Sequence, residues 1–138
     1  YDVSLPEFVV DREKLIQAIL NIARNGAQAM KQNKQEEMKL SFVTRAERQI
    51  VFRKKKHATA IRIDIIDNGP GIKNELIDKI FFPLVTGNEN GSGLGLSLAQ
   101  NLIALHQGMI DCHSVPGKTI FSIILPIENN LEPTKDKK

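Results

Sequence analysis

The 138-residue sequence contains no tryptophan, a single cysteine and only 5% aromatic residues. Because Cys112 has no second cysteine to pair with, an internal disulfide is excluded, and a reducing compartment, the cytoplasm, is favoured. No apolar run approaches the roughly 20 residues that a membrane-spanning helix needs, so we expect no membrane contact in this segment. The hydrophobic fraction of 41% still suffices for a packed core, and the length fits one domain.

Outside two short segments, the sequence has only a small excess of one charge sign over the other. The net charge is +3, but the basic excess lies at residues 53–56 and in the C-terminal tail, and the remainder carries three more acidic than basic residues. A nucleic-acid-binding domain would cluster basic residues along one face, so we expect no nucleic-acid partner. We interpret residues 53–56 as an exposed hairpin tip, with contact to an acidic partner protein as the alternative.

Hydrophobic periodicity and turn residues predict both helices and strands. Their order favours an α+β fold, a two-layer α/β sandwich with helices on one face of a mixed or antiparallel sheet. We expect residues 1–128 to form one domain and residues 129–138 to be a disordered polar tail. The predicted helices cover residues 11–30, 75–80 and 94–106, and the predicted strands cover 40–44, 60–67, 109–114 and 119–125, with a hairpin arm over 50–57.

Asp67 ends an apolar strand and is followed by the glycine-rich turn Asn68-Gly69-Pro70-Gly71. A buried carboxylate is costly unless it accepts a hydrogen bond. The exocyclic amine of a nucleotide base would satisfy it, and so would a backbone N–H of the turn. The residues alone leave both donors open.

A second glycine cluster covers residues 91–96 and follows a long loop rather than a strand. It therefore lacks the strand–turn–helix context of a dinucleotide fingerprint. Its glycines fit either a flexible hinge or an anion site formed by the free N–H groups of a helix that begins near Leu94. The segment 116–119 ends like a phosphate-binding loop, but it lacks the upstream glycine and leads into a strand, so we interpret it as a hairpin turn.

Asn21 and Asn25 are four residues apart and share one face of the first predicted helix. Asn21 interrupts an apolar stretch between Leu20 and Ile22. An amide oxygen can coordinate Mg²⁺, and an amide nitrogen can donate to a phosphate oxygen. Taken alone, the pair is more simply explained as two surface amides.

Taken together, these segments resemble the N, G1, F and G2 boxes of sensor histidine kinases, in the same order and over about residues 5–127. The resemblance implies the Bergerat-type ATP-binding fold that these kinases share with gyrase, a mismatch-repair ATPase and a heat-shock chaperone. Residues 24–29 and 113–119 further resemble nitrogen-regulation sensor kinases of bacteria. The matching segments are Asn21-Ile22-Ala23-Arg24-Asn25, Asp67-Asn68-Gly69-Pro70-Gly71, Phe81-Phe82-Pro83 and Gly91-Ser92-Gly93-Leu94-Gly95-Leu96.

The resemblance implies ATP and Mg²⁺ as cofactors and assigns a role to each box. Asp67 would accept a hydrogen bond from the adenine amine, with Thr119 nearby through water. Asn25 would hold Mg²⁺ and Asn21 would lie beside the phosphates, which makes both of them catalytic. The other implied contacts come from the glycine turn, from phenylalanines that anchor a lid over residues 84–92, and from the phosphate-binding helix start: Gly69, Gly71, Phe81, Phe82, Gly91, Gly93, Leu94 and Gly95.

Two features depart from the family pattern. The lid contains no Lys or Arg, and Gln28 stands where many relatives carry a basic residue. The charge of the γ-phosphate must then be offset by Mg²⁺, by helix N–H groups, or by Arg24 or Lys73. We therefore expect the isolated domain to bind nucleotide weakly.

Asn21 occupies the position where the related ATPases carry a glutamate that acts as general base for water. An amide cannot accept a proton at neutral pH, so phosphoryl transfer is favoured over hydrolysis. His57, His106 and His113 lack the family's acceptor context, so we expect the acceptor histidine on a dimerisation domain preceding Tyr1, and no autophosphorylation by this segment alone. The other implied partners are a response-regulator receiver domain and a regulatory signal protein. The alternative is a degenerate nucleotide-binding or docking module without kinase activity.

Overall fold

The structure, a computed structural model, describes residues 11–52, 54–81 and 95–127. Its elements combine helices with one sheet, which confirms the predicted α+β class. None of the described helices is long and apolar enough to cross a membrane. The helices are α1 (Arg12–Gln32), α2 (Asn74–Ile77) and α3 (Gly95–Ala104), and the strands are β1 (Leu40–Phe52), β2 (Lys55–Asp67), β3 (Met109–Val115) and β4 (Lys118–Pro126).

Helix α1 begins where the sequence predicts because Asp11 caps it. Oδ1 of Asp11 accepts the backbone N–H of Lys14 at 3.2 Å, which satisfies one of the free donors of the first turn. The predicted end at Met30 is wrong by two residues. The next two residues, a lysine and a glutamine, favour helix and extend it until the cap at Asn33.

The four strands form an antiparallel sheet in the order β1-β2-β4-β3, so the described part of the sheet is not mixed. The predicted strand 40–44 and residues 50–52 of the predicted hairpin arm belong to one strand, β1, which pairs with β2 from Leu40↔Asp67 to Phe52↔Lys55. Residues 55–57 of the same arm are the start of β2, so the predicted strand 60–67 is also too short. The prediction of short strands was wrong because the backbone N–H and C=O groups of β1 and β2 pair with each other along the whole hairpin. This pairing does not depend on which side chains the strands carry. β4 pairs with β2 only from Ala60 onward, so the outer half of the hairpin is a two-stranded ribbon.

The hydrophobic core lies between the helices and one face of the sheet. Alternation along β2 and β4 places pairs such as Ile63↔Ile123 and Ile65↔Phe121 on this face. Asp67 and its partner Thr119 continue the same alternation, so two polar residues end the core-facing row on the side of the helices. The helix residues packed against this face are Ala18, Ile22, Leu96, Ala99 and Ile103.

The opposite face of the sheet carries an ion-pair network centred on Asp64, which is 5% exposed. Its carboxylate accepts hydrogen bonds from Arg62 at 3.1 Å, from Arg45 at 3.2 Å and from the hydroxyl of Ser122 at 2.7 Å. A buried charge is tolerated when it is paired and hydrogen-bonded in this way. The network joins β1, β2 and β4 across the middle of the sheet.

The two shorter helices differ from the prediction at their ends. α2 covers Asn74–Ile77 rather than 75–80, and a single turn of helix follows the glycine-rich segment. α3 begins at Gly95 and ends at Ala104, two residues before the predicted end. The predicted helix start at Leu94 lies outside the described residues, as do the lid and the C-terminal tail.

Gln107-Gly108, predicted to close the helix, complete the turn that follows Ala104, and the two residues contribute differently. Gln107 adopts the left-handed backbone, with φ of 64°, and the N–H of Gly108 donates to the carbonyl of Ile103 at 3.0 Å. Glycine is needed at 108 for packing, because a Cβ there would lie 2.6 Å from the carbonyl oxygen of Ile124.

Candidate nucleotide-binding site

Asp67 ends β2 and is only 6% exposed. Its Oδ1 accepts the backbone N–H of Gly69 at 2.9 Å, so the turn supplies one of the two donors that the sequence left open. Burial raises the pKa of the Asp67 carboxyl above its ordinary value near 3.8, and the hydrogen bond from Gly69 offsets part of that rise. The carboxylate therefore still gains from a further donor at this position.

The glycine turn after Asp67 is fixed on one side by the segment that joins α1 to β1. Oδ1 of Asn68 accepts the N–H of Lys39 at 2.9 Å, and Nδ2 of Asn68 donates to the carbonyl of Glu37 at 3.2 Å. The side-chain amide of Gln35 donates to the backbone carbonyl of Asn68 at 3.0 Å. Asn68 therefore anchors the turn.

The same turn is fixed on its other side by the β3–β4 hairpin. The N–H of Gly117 donates to the carbonyl of Gly69 at 2.9 Å, and the N–H of Ile72 donates to Oγ of Ser114 at 2.8 Å. Oγ of Ser114 lies 2.7 Å from Oγ1 of Thr119, which is 3% exposed. A chain of hydrogen bonds thus connects the turn to the residue opposite Asp67.

Gly69 and Gly71 are glycines for identifiable steric reasons. A Cβ at Gly69 would lie 2.9 Å from Oδ1 of Asp67. Gly71 has φ of +91°, and a Cβ there would lie 2.9 Å from the carbonyl oxygen of Val115. Both positions let the turn approach its protein neighbours closely. The contact with a nucleotide base that the resemblance implies for them stays a prediction.

Helix α1 reaches the carboxylate at Gly26, a residue not predicted from the sequence. A Cβ at Gly26 would lie 2.7 Å from Oδ2 of Asp67, so the backbone of the helix packs directly against the acid. Asn25, the predicted magnesium ligand, is the preceding residue and is half-buried. The structure therefore brings the N and G1 segments together.

Asn21 lies one turn earlier on α1 and is 8% exposed, so its explanation as a surface amide is wrong. Nε2 of Gln17 donates to Oδ1 of Asn21 at 3.0 Å, while Nδ2 of Asn21 finds no acceptor among the described residues. A Cβ at Gly95 would lie 3.9 Å from the backbone oxygen of Asn21, so α3 begins beside this residue. Gly95, which belongs to the second glycine cluster and is the first residue of α3, thus lies near the N segment.

Phe81 packs against the core edge-on, with its ring centroid 6.2 Å from that of Phe121 and an interplanar angle of 86°. This contact holds Phe81, the first of the two phenylalanines predicted to anchor the lid, against the core. The other predicted site residues in this region, Phe82, Gly91, Gly93 and Leu94, lie outside the described residues.

A buried carboxylate, a buried amide donor and the start of α3 therefore lie around the middle of α1, and comparison with known proteins identifies this arrangement. The profile of the family described as histidine kinase-, DNA gyrase B-, and HSP90-like ATPase matches residues 10–129. The chain belongs to this ATPase family.

Named relatives of this ATPase domain are sensor histidine kinases. The sensory histidine kinase/phosphatase NtrB of Vibrio alginolyticus is 49% identical over 127 residues, which are 92% of this chain and 36% of that protein. The protein of the same name from Rhodobacter capsulatus is 37% identical over 127 residues, with the same coverage. The chain thus spans about a third of the length of these curated relatives.

Solved structures agree with this assignment. The catalytic domain of histidine kinase ThkA superposes on the ATPase domain with a TM-score of 0.67 and 26% identity, covering 86% of this chain and 69% of that one. The mycobacterial sensor histidine kinase MprB superposes with a TM-score of 0.66 at 22% identity, covering 88% and 77% of the two chains, and shows the same fold.

The residues of the ATPase domain fit a nucleotide. The buried carboxylate of Asp67 suits a base amine. The unpaired Nδ2 of Asn21, a residue whose backbone oxygen lies near the start of α3, suits a phosphate oxygen. The amide oxygen of Asn25 is a ligand type that Mg²⁺ accepts, and this ion commonly completes its shell with nucleotide phosphates and water. No group of three or more His, Cys, Asp or Glu side chains that could hold a metal occurs in the described chain.

His106 and Cys112 are held within the fold, whereas His113 is exposed, and the side chain of His57 lies outside the described part of the structure. Nδ1 of His106 donates to the carbonyl of Leu102 at 2.9 Å, and Nε2 accepts the N–H of Asp11 at 3.0 Å, so the ring joins α3 to the start of α1. His113 is exposed beside Asp111. Burial, together with the negative charges of Asp111 and Asp67, raises the pKa of Cys112 to about 12.

Three residues that shape the site were missed from the sequence: Gln17, Gly26 and Ser114. Gln17 could have been found, because it lies one helical turn before Asn21 and on the same face. Gly26 and Ser114 act through contacts 41 and 42 residues away along the chain, which residue spacing does not reveal.

Proposed function

We propose that this ATPase domain binds Mg-ATP and transfers the γ-phosphoryl group to a histidine on the dimerisation domain of the same two-component sensor kinase. The observation that carries the proposal is the buried carboxylate of Asp67, packed against Gly26 of α1 and paired with Thr119 of β4. Such an acceptor selects for the amine of adenine. Similarity to proteins named sensory histidine kinase/phosphatase supports transfer to histidine, and the name NtrB supports a place in nitrogen-regulation signalling.

In this reaction, Asp67 binds the base, while Asn21 and the N–H groups at the start of α3 bind phosphate oxygens. Asn25 would hold Mg²⁺, whose charge offsets the negative charge of the phosphates. A ring nitrogen of the acceptor histidine attacks the γ-phosphorus. A P–N bond forms, the bond from the γ-phosphorus to the bridging oxygen breaks, and ADP leaves with that electron pair.

Asn21 favours this reaction over hydrolysis, because an amide held by Gln17 cannot take a proton from water. The acceptor histidine is proposed to lie outside this segment, so the isolated domain should not phosphorylate itself. A response-regulator receiver domain and a regulatory signal protein are the other proposed partners, all in the cytoplasm, where ATP is available.

The first test is the titration of a fluorescent ATP analogue into the wild type and Asp67→Asn, with and without Mg²⁺. We expect weak binding that Mg²⁺ strengthens and that the substitution abolishes. Sub-micromolar binding would contradict the expected weakness, and no binding at millimolar nucleotide would exclude a kinase role for this domain.

The second test separates the kinase from a docking module that binds nucleotide without transferring phosphate. The absence of Lys and Arg from residues 84–92 and the presence of Gln28 favour the docking module. The domain is incubated with γ-labelled ATP and a separately produced acceptor domain. Label on the acceptor histidine supports the kinase, whereas ATP binding without any label on the acceptor supports the docking module.

A further inference from the structure

Gln17 and Asn21 form a pair of side-chain amides one turn apart on α1. Nε2 of Gln17 donates to Oδ1 of Asn21 at 3.0 Å. Gln17 is exposed, whereas Asn21 is more than nine-tenths buried. The pair therefore connects the outer surface of the helix to the interior of the candidate site.

This hydrogen bond determines which end of the Asn21 amide is available. An amide has one accepting oxygen and one donating nitrogen, and rotation about its last side-chain bond exchanges them. Because Gln17 engages the oxygen, the nitrogen is the atom left over. Nδ2 is fully enclosed and has no acceptor in the described part of the chain.

An enclosed donor without an acceptor is costly, and few native groups stay in that condition. The backbone oxygen of Asn21 lies 3.9 Å from the Cβ position of Gly95, at the first residue of α3. The free N–H groups of such a helix start attract anions. The unused donor and the helix start therefore favour the same kind of ligand, an anionic oxygen.

We propose that Gln17 is a positioning residue that holds the Asn21 amide with Nδ2 toward the phosphate groups of the nucleotide. Asn21 then acts as a hydrogen-bond donor to a phosphate oxygen and not as a metal ligand, because a side-chain amide coordinates Mg²⁺ through its oxygen. Of the two asparagines Asn21 and Asn25, only Asn25 then remains to bind the metal. This inference rests on the proposed function, since it takes a nucleotide as the ligand.

The test reverses the hydrogen bond with Gln17→Glu. A glutamate at this position can only accept, so it draws Nδ2 of Asn21 toward itself and turns Oδ1 toward the phosphates. We expect ATP to bind roughly tenfold more weakly, while adenosine, which has no phosphate, binds as it does to the wild type. The loss should persist in EDTA, because the lost contact is to phosphate and not to the metal.

A double-mutant cycle with Asn21→Ala separates orientation from charge. In the Asn21→Ala background, Gln17→Glu should change ATP affinity much less than tenfold, because only the repulsion by an exposed carboxylate remains. Gln32→Glu, near the end of the same helix, controls for the added charge on α1 and should leave ATP affinity unchanged.

Equal losses for ATP and adenosine would show that Gln17 supports the fold rather than the orientation of Asn21. If Gln17→Glu reduces ATP affinity equally in the wild type and in Asn21→Ala, the new carboxylate repels the phosphates directly and does not act through Asn21. Either result, or an unchanged ATP affinity, overturns the inference. If the wild type binds neither ATP nor adenosine, the proposed function itself fails, so the two failures are distinguishable.

Discussion

Asp67 on β2 and Thr119 on β4 are direct cross-strand partners, both almost fully buried, at the end of the row of side chains that forms the core. Their polar groups replace what would be the next apolar pair of that row. The hydrogen bonds through Ser114 and the glycine turn hold the pair in place before any ligand arrives. A site whose supporting bonds already exist loses little conformational entropy on binding.

Asp67→Asn should change nucleotide binding and stability in opposite directions. The amide nitrogen would face the adenine amine donor to donor, so ATP binding, already weak in the wild type, should no longer be detected. Without nucleotide, the variant should be more stable at neutral pH, because a neutral side chain avoids the cost of burying a charge. Equilibrium urea unfolding of both proteins at pH 7, with and without ATP, measures both effects.

The stability difference between wild type and Asp67→Asn should also depend on pH. The pKa of Asp67 is raised in the folded protein, so its neutral form favours folding, and that contribution is lost as pH rises through the folded pKa. The advantage of Asn should therefore shrink as the pH falls through the folded pKa toward 3.8. An advantage that stays constant from pH 7 to about pH 4 would show that burial of the Asp67 charge is not its cause.

Gly71→Ala and Gly117→Ala should separate backbone strain from steric contact. Both glycines have φ of +91°, but only Gly71 has a neighbour within reach, the carbonyl oxygen of Val115. Each alanine should cost about 1 kcal/mol of stability for the left-handed backbone. Gly71→Ala should cost roughly 1 kcal/mol more and weaken ATP binding, because the turn must move away from the hairpin.

Thermal melts and ATP titrations of the two glycine variants provide the comparison. Gly117→Ala serves as the control, because a Cβ there has no atom within 4 Å. If both variants lose ATP affinity equally, the contact between Gly71 and Val115 is not what shapes the turn.

Cys112 should resist alkylation in the folded protein. With a pKa of about 12, only about one thiol in ten thousand is ionised at pH 8, and the thiolate is the reactive form. At the ordinary pKa of 9.0 about one thiol in ten is ionised at this pH, so iodoacetamide should label the native protein on the order of a thousandfold more slowly than the protein unfolded in urea. Mass spectrometry measures both labelling rates. Equal labelling rates would show that the thiol is neither buried nor electrostatically disfavoured.

Ser122→Ala and Ser114→Ala should distinguish the two faces of the sheet. Ser122 donates to Asp64 on the face away from the helices, so its loss should cost about 1–2 kcal/mol of stability and leave ATP affinity unchanged. Ser114 accepts from Ile72 beside the site, so its loss should reduce both stability and ATP affinity. A drop in ATP affinity for Ser122→Ala would mean that the two faces are coupled.

The sequence predicted most of what depends on local pattern. Asp11 as a cap and the alternation along residues 60–67 follow from residue type and spacing, and both are confirmed. The hairpin turn predicted at 116–119 is also present, although it occupies only residues 116–117. The full length of β1 was not predictable, because its outer half is defined by backbone pairing with β2 rather than by a buried face.

The residues of the site also fall into those that local pattern predicts and those that it does not. Asp67 and Asn21 were recognised because each is a polar residue in an apolar context, and both are buried. The support of the site depends on long-range contacts. Ser114 meets Ile72 because β3 and β4 fold back beside the glycine turn, and no periodicity within either segment encodes that approach.

The long β1–β2 hairpin has a consequence for how this domain can diverge. β2 is 13 residues long, so its tip and Asp67 lie roughly 40 Å apart at about 3.3 Å per residue. Adding or removing one residue from each arm at the tip leaves every inner pair in its original register. The ribbon can therefore vary in length and composition between species, and acquire new surface features, while the nucleotide end of the same strand stays unchanged.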